Sequence, residues 1–255
     1  MDTLANLLTR ERRSERAALV APAVDRELSY YDFCTTAWKT GNFLRHLGVG
    51  PGHRVAVGAD RIPESVLTFL GAAQLGAETT FGVDPGDGDD GDDDSAGNSG
   101  DPRAVVVHHE REAAFDPPAG TKLAVYRGDP ERATTVHWEE EVWSENPAFP
   151  PSDADAGSVA LRGGDEDGET AAYTHGALLE ASSAAVDELD VSAADEVVVS
   201  APLTDPGAVV AVLAAVRAEA TAVLDPESDG EDGIAVAGER VPAARLRPTA
   251  VDATD

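Results

Sequence analysis

Residues Phe43-Leu-Arg-His-Leu-Gly-Val-Gly-Pro-Gly-His-Arg-Val-Ala-Val57 decide the fold. A helix running into this stretch has to stop at Gly48, because glycine tolerates the left-handed backbone that closes a helix. Gly50-Pro51-Gly52 then turns the chain. Arg54 to Gly58 is a brief apolar run of the kind a strand shows when both its faces are buried. Upstream, Ser29 and Asp32 have the spacing of a capping box with Asp in place of the usual Glu, and Tyr30, Phe33, Ala37, Gly41 and Leu44 recur every three or four residues. Before them, Ala17 to Val20 reads as a short strand, and Leu4, Leu7 and Leu8 fall at helical spacing. Downstream, Pro63 suits a first helical turn, Val66, Leu67, Leu70 and Ala73 carry an apolar face as far as Gly76, and Ala77 to Val83 returns to strand. This alternation through short connections predicts an α/β fold with mostly parallel sheet strands flanked by helices.

The run 84–102 is built almost wholly of Asp, Gly, Ser and Asn, so it cannot offset the entropy of ordering and is expected as a disordered surface loop. Its carboxylates lack the closing Glu and the spacing of an EF-hand, so any cation capture there would be loose and unselective. Beyond it, Ala104 to Val107 and Leu123 to Tyr126 read as strands, whereas Thr135 to Pro151 is ambiguous between helix and loop. Alternation then resumes with strands at Ser158 to Leu161, Val197 to Ser200 and Thr221 to Leu224, and helices at Ala177 to Leu189 and Gly207 to Ala218. Ile234 to Ala237 is one further strand in an otherwise acidic, frayed ending. The chain thus divides into an α/β segment at 1–83, the acidic loop at 84–102, a second α/β segment at 103–224 and an acidic extension at 225–255.

The 255 residues carry 48 Asp and Glu against 19 Lys and Arg, a formal charge of −29, with Lys only at Lys39 and Lys122. Such a shell repels itself in dilute buffer and is tolerable where salt screens it to a Debye length of ~3 Å, at about 1 M. A salt-rich, halophilic cytoplasm is therefore expected. No basic patch is present for a nucleic acid. Cys34 is the only cysteine, which excludes an intramolecular disulfide and a thiolate metal cluster. Met1 to Arg16 is charged throughout, unlike a signal peptide, and no window approaches the ~20 apolar residues of a membrane span.

Two stretches resemble the adenylate-forming superfamily of AMP-forming acyl-CoA synthetases, luciferases and peptide-synthetase adenylation domains. The first runs from Leu28-Ser-Tyr-Tyr-Asp-Phe33 through the glycine-rich stretch quoted above, Pro63-Glu64 and Phe69-Leu-Gly-Ala-Ala-Gln-Leu-Gly-Ala77. It fixes several glycines and prolines together over roughly the first 80 residues; His53 stands where the family has Asp. The second begins at Ser158 and ends in Thr174-His175-Gly-Ala-Leu178, like the helix start after the family's phosphate loop. The resemblance implies a truncated N-terminal synthetase domain and a vestigial phosphate-loop region at Gly163, Gly164, Gly168, Thr174 and His175. Anchored there, the loop reads Leu161-Arg-Gly-Gly-Asp-Glu-Asp-Gly-Glu-Thr170, with Glu169 at the position of the family's lysine.

A phosphate loop surrounds its ligand with N–H groups, hydroxyls and a cation. Asp165, Glu166, Asp167 and Glu169 would face that ligand with like charge, at about 1 kcal/mol per pair in water and roughly 4 kcal/mol at an effective dielectric near 20. Magnesium would have to bridge these carboxylates and offset the missing lysine as well. The family's later motifs, including a catalytic lysine, do not follow Leu224, and neither Lys39 nor Lys122 matches that lysine. Pro202-Leu-Thr-Asp-Pro206 lacks the aromatic and His that the family often places near its acyl pocket. His175 either lines a vestigial pocket or marks a helix start with its ring in solvent.

Other constellations are weaker. His108 and His109 would point to opposite faces of a strand, and one of them with His137 and Glu139 lacks the short ligand pair of a zinc site, so exposed histidines at strand ends are the plainer reading. No nucleophile elbow accompanies the Ser, His and Asp residues. Trp38 and Trp143 read as packing or rim residues. The sequence therefore points to a catalytically inactive synthetase-like protein with no catalytic or metal residues and no expected cofactor. Its role would be binding or regulatory, with a full-length synthetase or a second copy as partner and neither nucleic acid nor membrane. Such pairing would use a sheet face or edge left open by the missing layers. The alternative is one piece of a split synthetase that activates a carboxylate with ATP and Mg²⁺ together with a partner chain.

Overall fold

The computed structural model describes residues 2–83, 101–164, 170–225, 233–236 and 239–251, with Glu239 and Arg240 as backbone only. After two 3-10 turns at Leu4–Leu8 and Arg10–Arg12, the chain forms β1 (Ala17–Ala21), β2 (Arg26–Ser29), α1 (Tyr30–His46), β3 (Arg54–Val57), α2 (Pro63–Gln74) and β4 (Glu78–Phe81). There follow β5 (Ala104–His108), β6 (Lys122–Tyr126), β7 (Val136–His137), α3 (Trp138–Ser144), β8 (Val159–Gly164), β9 (Thr170–Thr174) and α4 (His175–Glu188). The last elements are β10 (Glu196–Val199), α5 (Pro206–Ala218), β11 (Thr221–Leu224), β12 (Gly233–Val236) and β13 (Glu239–Pro242).

The caps sit where the sequence places them. Ser29 Oγ accepts from Asp32 N at 3.1 Å and donates to the Asp32 carboxylate at 3.0 Å, which starts α1. Gly48 and Gly76 take φ of +85° and +70° just beyond α1 and α2, a conformation that suits glycine. The two helices cross where glycine meets glycine: a Cβ on Gly71 would lie 2.9 Å from Gly41 N. Backbone rests on backbone at that point.

The expected α/β architecture of mostly parallel strands flanked by helices is present, in two sheets. One has the order β7-β6-β5-β3-β4-β8-β9, parallel except for the β8–β9 hairpin. The other has the order β13-β12-β10-β11-β1-β2, in which β1, β10 and β11 run parallel and the flanking pairs antiparallel. Helices α2 and α5 each touch strands of both sheets. That position explains why every residue of α2 is buried, polar ones included, where the sequence shows one apolar face. Some of its polar groups find partners inside: Thr68 Oγ1 donates to Glu64 O at 2.7 Å and accepts from Trp138 Nε1 at 3.1 Å, and Gln74 Nε2 donates to Ala37 O at 2.9 Å, whereas Glu64 Oε2 and Gln74 Oε1 are buried without a hydrogen-bond partner.

Three strands depart from the sequence reading. β2, Arg-Glu-Leu-Ser, has a single large apolar residue and pairs at the sheet edge; β9 lies within the expected phosphate loop; β13 lies in the stretch expected to be frayed. The expected extension at 225–255 thus contributes β12 and β13 to a sheet, because Ile234, Val236 and Val241 bury fully against its core. The ambiguous segment 135–151 resolves into β7 and α3. The acidic run falls outside the described residues from 84 to 100. The β9 edge does not lie open: Ala171, Ala172 and Tyr173 are buried, and Val251 N donates to Ala172 O at 2.9 Å in an antiparallel bridge.

Candidate phosphate-loop site

Strands β8 and β9 pair from Val159 with Thr174 to Gly164 with Thr170, so residues 165–169 connect them. Gly168 and the acidic residues Asp165, Glu166, Asp167 and Glu169 lie outside the described residues. The frame around them is described. Gly163 packs on α5, since a Cβ there would lie 3.2 Å from Pro206 Cγ, whereas a Cβ on Gly164 would meet nothing within 4 Å. Tyr173 donates its hydroxyl to Gly164 O at 3.3 Å and ties the two strands together.

At the far end of the hairpin, Thr174 is the N-cap of α4 and its Oγ1 accepts from Ala177 N at 3.1 Å. His175 N donates to Ser158 O at 3.0 Å and Gly176 N to Ala156 O at 2.9 Å. The first amides of α4, which would otherwise meet an anion, are therefore spent inside the protein. The His175 ring is fully buried, which removes the second of the two alternatives, a ring in solvent. Its Nδ1 accepts from Leu4 N at 3.2 Å, which places the ring proton on Nε2. Burial pushes its pKa down to about 4, with the nearby Asp155 carboxylate opposing. His175 is thus neutral near pH 7 and adds no positive charge to the site. Asp155 accepts from Gly157 N at 3.0 Å and from Ser158 N and Oγ at 2.9 and 3.0 Å, which holds its carboxyl below the usual range.

The N-terminus of α5 is filled in a similar way. The Asp205 carboxylate accepts from Gly207 N at 2.9 Å and receives Arg247 at 3.1 Å on each oxygen, a bidentate pair. A carboxylate of the chain itself thus sits where a helix N-terminus would favour a ligand anion. The other arginines of this frame are also engaged: Arg162 Nε donates to the Glu78 carboxylate at 2.5 Å, and Arg61 donates to Ser200 O.

A second polar cluster, which sequence reading missed, lies at the carboxyl ends of β3 and β6. The Tyr126 hydroxyl donates to Asp60 Oδ2 at 2.5 Å, and Glu64 is buried with Oε1 3.9 Å from Arg127. Burial raises the Glu64 pKa, with Arg127 opposing and Glu139 adding to it. The only sequence signal was an acidic residue just after a strand and another after Pro63.

The histidines differ from expectation. His109 opens a 3-10 turn instead of continuing β5, so its ring lies 4.8 Å from that of His108 instead of on the opposite face, and both are half-buried. His137 Nε2 lies 3.3 Å from Glu139 and Nδ1 3.6 Å from Glu140, yet among the described residues no three His, Cys, Asp or Glu side chains gather to hold a metal. Cys34 is buried, and burial raises its thiol pKa to about 11. Among the described residues no helix is long and apolar enough to cross a membrane.

The model of the AMP-binding enzyme family matches residues 9–232. The chain belongs to that family. Among solved structures, the N-terminal domain of FACL13 from Mycobacterium tuberculosis superposes with a TM-score of 0.71 at 19% identity, over 90% of this chain and 58% of that one. The anthranilate CoA ligase AuaEII, in complex with anthranoyl-AMP, gives 0.72 at 19% identity, over 89% of this chain and 44% of the ligase. An acetyl-coenzyme A synthetase of Gemmatimonas aurantiaca is 38% identical over 68 residues, 26% of this chain and 10% of its own length. The chain thus shares the fold of the N-terminal part of these proteins and spans 58% of the FACL13 N-terminal domain, 44% of AuaEII and 10% of the acetyl-coenzyme A synthetase.

Proposed function

We propose that this chain is catalytically silent and acts through binding or regulation. The observation that carries the reading is the state of the donors around the hairpin. The first amides of α4 bond to Ser158, Ala156 and Thr174, α5 is capped by Asp205, and Arg61, Arg162 and Arg247 are each engaged internally. The sequence adds Glu169 at the lysine position of the resemblance. A polyphosphate would meet little positive charge and several carboxylates there, each opposing it by about 1 to 4 kcal/mol depending on the effective dielectric. The test is calorimetric titration of the full chain with ATP·Mg²⁺ in about 1 M KCl, where screening is strongest. No binding heat is expected; saturable heat, with chemical-shift changes at residues 163–175, would overturn the reading.

The split-synthetase reading draws on one observation, that the chain spans 44% of the anthranilate CoA ligase it superposes on and 58% of the FACL13 N-terminal domain. ATP–pyrophosphate exchange that arises only when neighbouring gene products are added, and is lost in Thr174→Ala, would establish it instead.

A further inference from the structure

Helix α3 has seven residues, of which only Trp138 and Val142 are buried. A helix that short does not persist in water alone, so its seat decides whether it stays formed. The seat is the first turn and a half of α2 together with the end of β6. Trp138 Nε1 donates to Thr68 Oγ1 at 3.1 Å, and Glu139 Oε1 accepts from Arg127 N at 2.7 Å. Arg127 has a φ of +66°, a left-handed conformation uncommon for a residue with a side chain, and Glu139 holds it there. The Arg127 guanidinium consequently lies 3.9 Å from Glu64 Oε1, too far for a hydrogen bond.

Both carboxylates of this joint have an oxygen with nothing to accept. Glu64 Oε2 and Glu139 Oε2 are buried without a hydrogen-bond partner, and Glu64 as a whole is 4% exposed. A buried ionised carboxylate short of donors is costly, and a second carboxylate beside it adds to the cost. A proton on Glu64 removes both contributions at once. Solvent has a polar route to it: Glu139 Oε2 lies 3.3 Å from His137 Nε2, without the geometry of a hydrogen bond, and His137 Nδ1 lies 3.6 Å from the exposed Glu140 carboxylate.

We propose that Glu64 is a proton-operated latch for α3: protonated, it lets the helix sit on α2, and ionised, it repels Glu139 and loosens α3 while the rest of the fold stays closed. The charged and titratable groups that act on Glu64 are Arg127 at the end of β6, Glu139 on α3 and Arg26 on β2, with Tyr126 beside it bonded to Asp60. Burial raises the Glu64 carboxyl above its ordinary 4.5, Glu139 adds to the rise, and Arg127 and Arg26 oppose it. The closed joint therefore holds a proton above 4.5 that an open joint has released. Stability from this site is complete below 4.5 and is lost as pH rises through the raised value, opposite in sign to His175. The charge of −29 favours the protonated form as well, and buried groups feel one another even where salt screens the surface. The latch stands apart from the reading of the hairpin, since the two share no residue.

The test follows hydrogen exchange at the indoles of Trp38, Trp138 and Trp143 by NMR, on the full chain in about 1 M KCl. Trp143, 83% exposed, gives the unprotected rate at each pH, and Trp38, whose Nε1 donates to Leu8 O, reports on the core. Between about pH 5 and about pH 8 the protection of Trp138 relative to Trp143 should fall by about tenfold, with no such fall at Trp38. Glu64→Gln, which cannot ionise, should keep Trp138 protected throughout. Glu139→Gln removes the like charge at a less buried position and should cut the fall to about threefold or less, which keeps the latch testable should Glu64→Gln not fold. His137 is common to all three proteins, so its own titration cancels. Parallel pH profiles in wild type and both variants overturn the proposal, as does a loss of protection at Trp38 together with Trp138, which would mean global opening. So does protection of Trp138 that follows the cation of the medium, KCl against tetramethylammonium chloride, in place of pH, which would make a bound cation the occupant.

Discussion

The glycines of residues 48–76 and those of residues 163–164 come from the same family scaffold, yet they answer to different demands. Gly48, Gly71 and Gly76 serve the fold: two take positive φ, and the third lets α1 and α2 touch. In the hairpin, Gly163 packs on Pro206 and Gly164 faces open space, and the surrounding donors are turned inward. The contrast teaches that packing holds a residue independently of ligand, so a fold can stay legible while its ligand site is rebuilt.

The sharpest way to break this comparison is at the helix crossing. Gly71→Val places a side chain against the backbone of Thr40 and Gly41 and should lower stability by about 3 kcal/mol or more, read as the denaturation midpoint in molar KCl. Acid should act next, through His175. Its pKa is about 4 in the folded chain against 6.5 unfolded, so below 6.5 the unfolded chain takes up a proton that the folded one refuses. Stability present above 6.5 should therefore fall as pH drops towards about 4, by about 3 kcal/mol in total. Comparing denaturation midpoints of wild type and His175→Gln across this window isolates the effect from the lessening repulsion among carboxylates; parallel curves would show that the ring does not carry it.

A smaller loss is expected at the hairpin's helical neighbour. Arg247→Gln removes the bidentate partner of Asp205, a partly exposed pair, and should lower the midpoint by an amount equivalent to about 1 kcal/mol. Smallest of all, Gly164→Ala adds a methyl group to open space and should change stability by less than about 0.5 kcal/mol. A large loss there would mean that the hairpin glycine is as constrained as those at the crossing.

Much of this contrast was legible beforehand. Helices α1, α2, α4 and α5 and strands β1, β3, β4, β5, β6, β8, β10, β11 and β12 follow from period, caps and glycine stops, each a local signal. The second sheet was not legible, because nothing in one strand's sequence names its neighbour. The full burial of α2 was hidden for the same reason: Glu64, Ser65, Thr68 and Gln74 look like a solvent face until two sheets enclose them. Trp38 and Trp143 also looked alike. One is buried with Nε1 donating to Leu8 O at 2.9 Å, and the other stands out at the end of α3. At the hairpin, the glycines and the Thr174 cap were readable, whereas the partner of His175 was not, because Leu4 lies 171 residues away.

That distance has a consequence for how the protein is made. The strand-to-helix joint at Thr174 is tied on one side by Leu4 N and on the other by Val251 N. A nascent chain can close the helix crossing at Gly41 and Gly71 early, but it cannot latch this joint until residue 251 has left the ribosome. Late, long-range closure of this kind predicts that β9 and the start of α4 protect their amides from hydrogen exchange last during refolding, and that clipping either tail loosens them first.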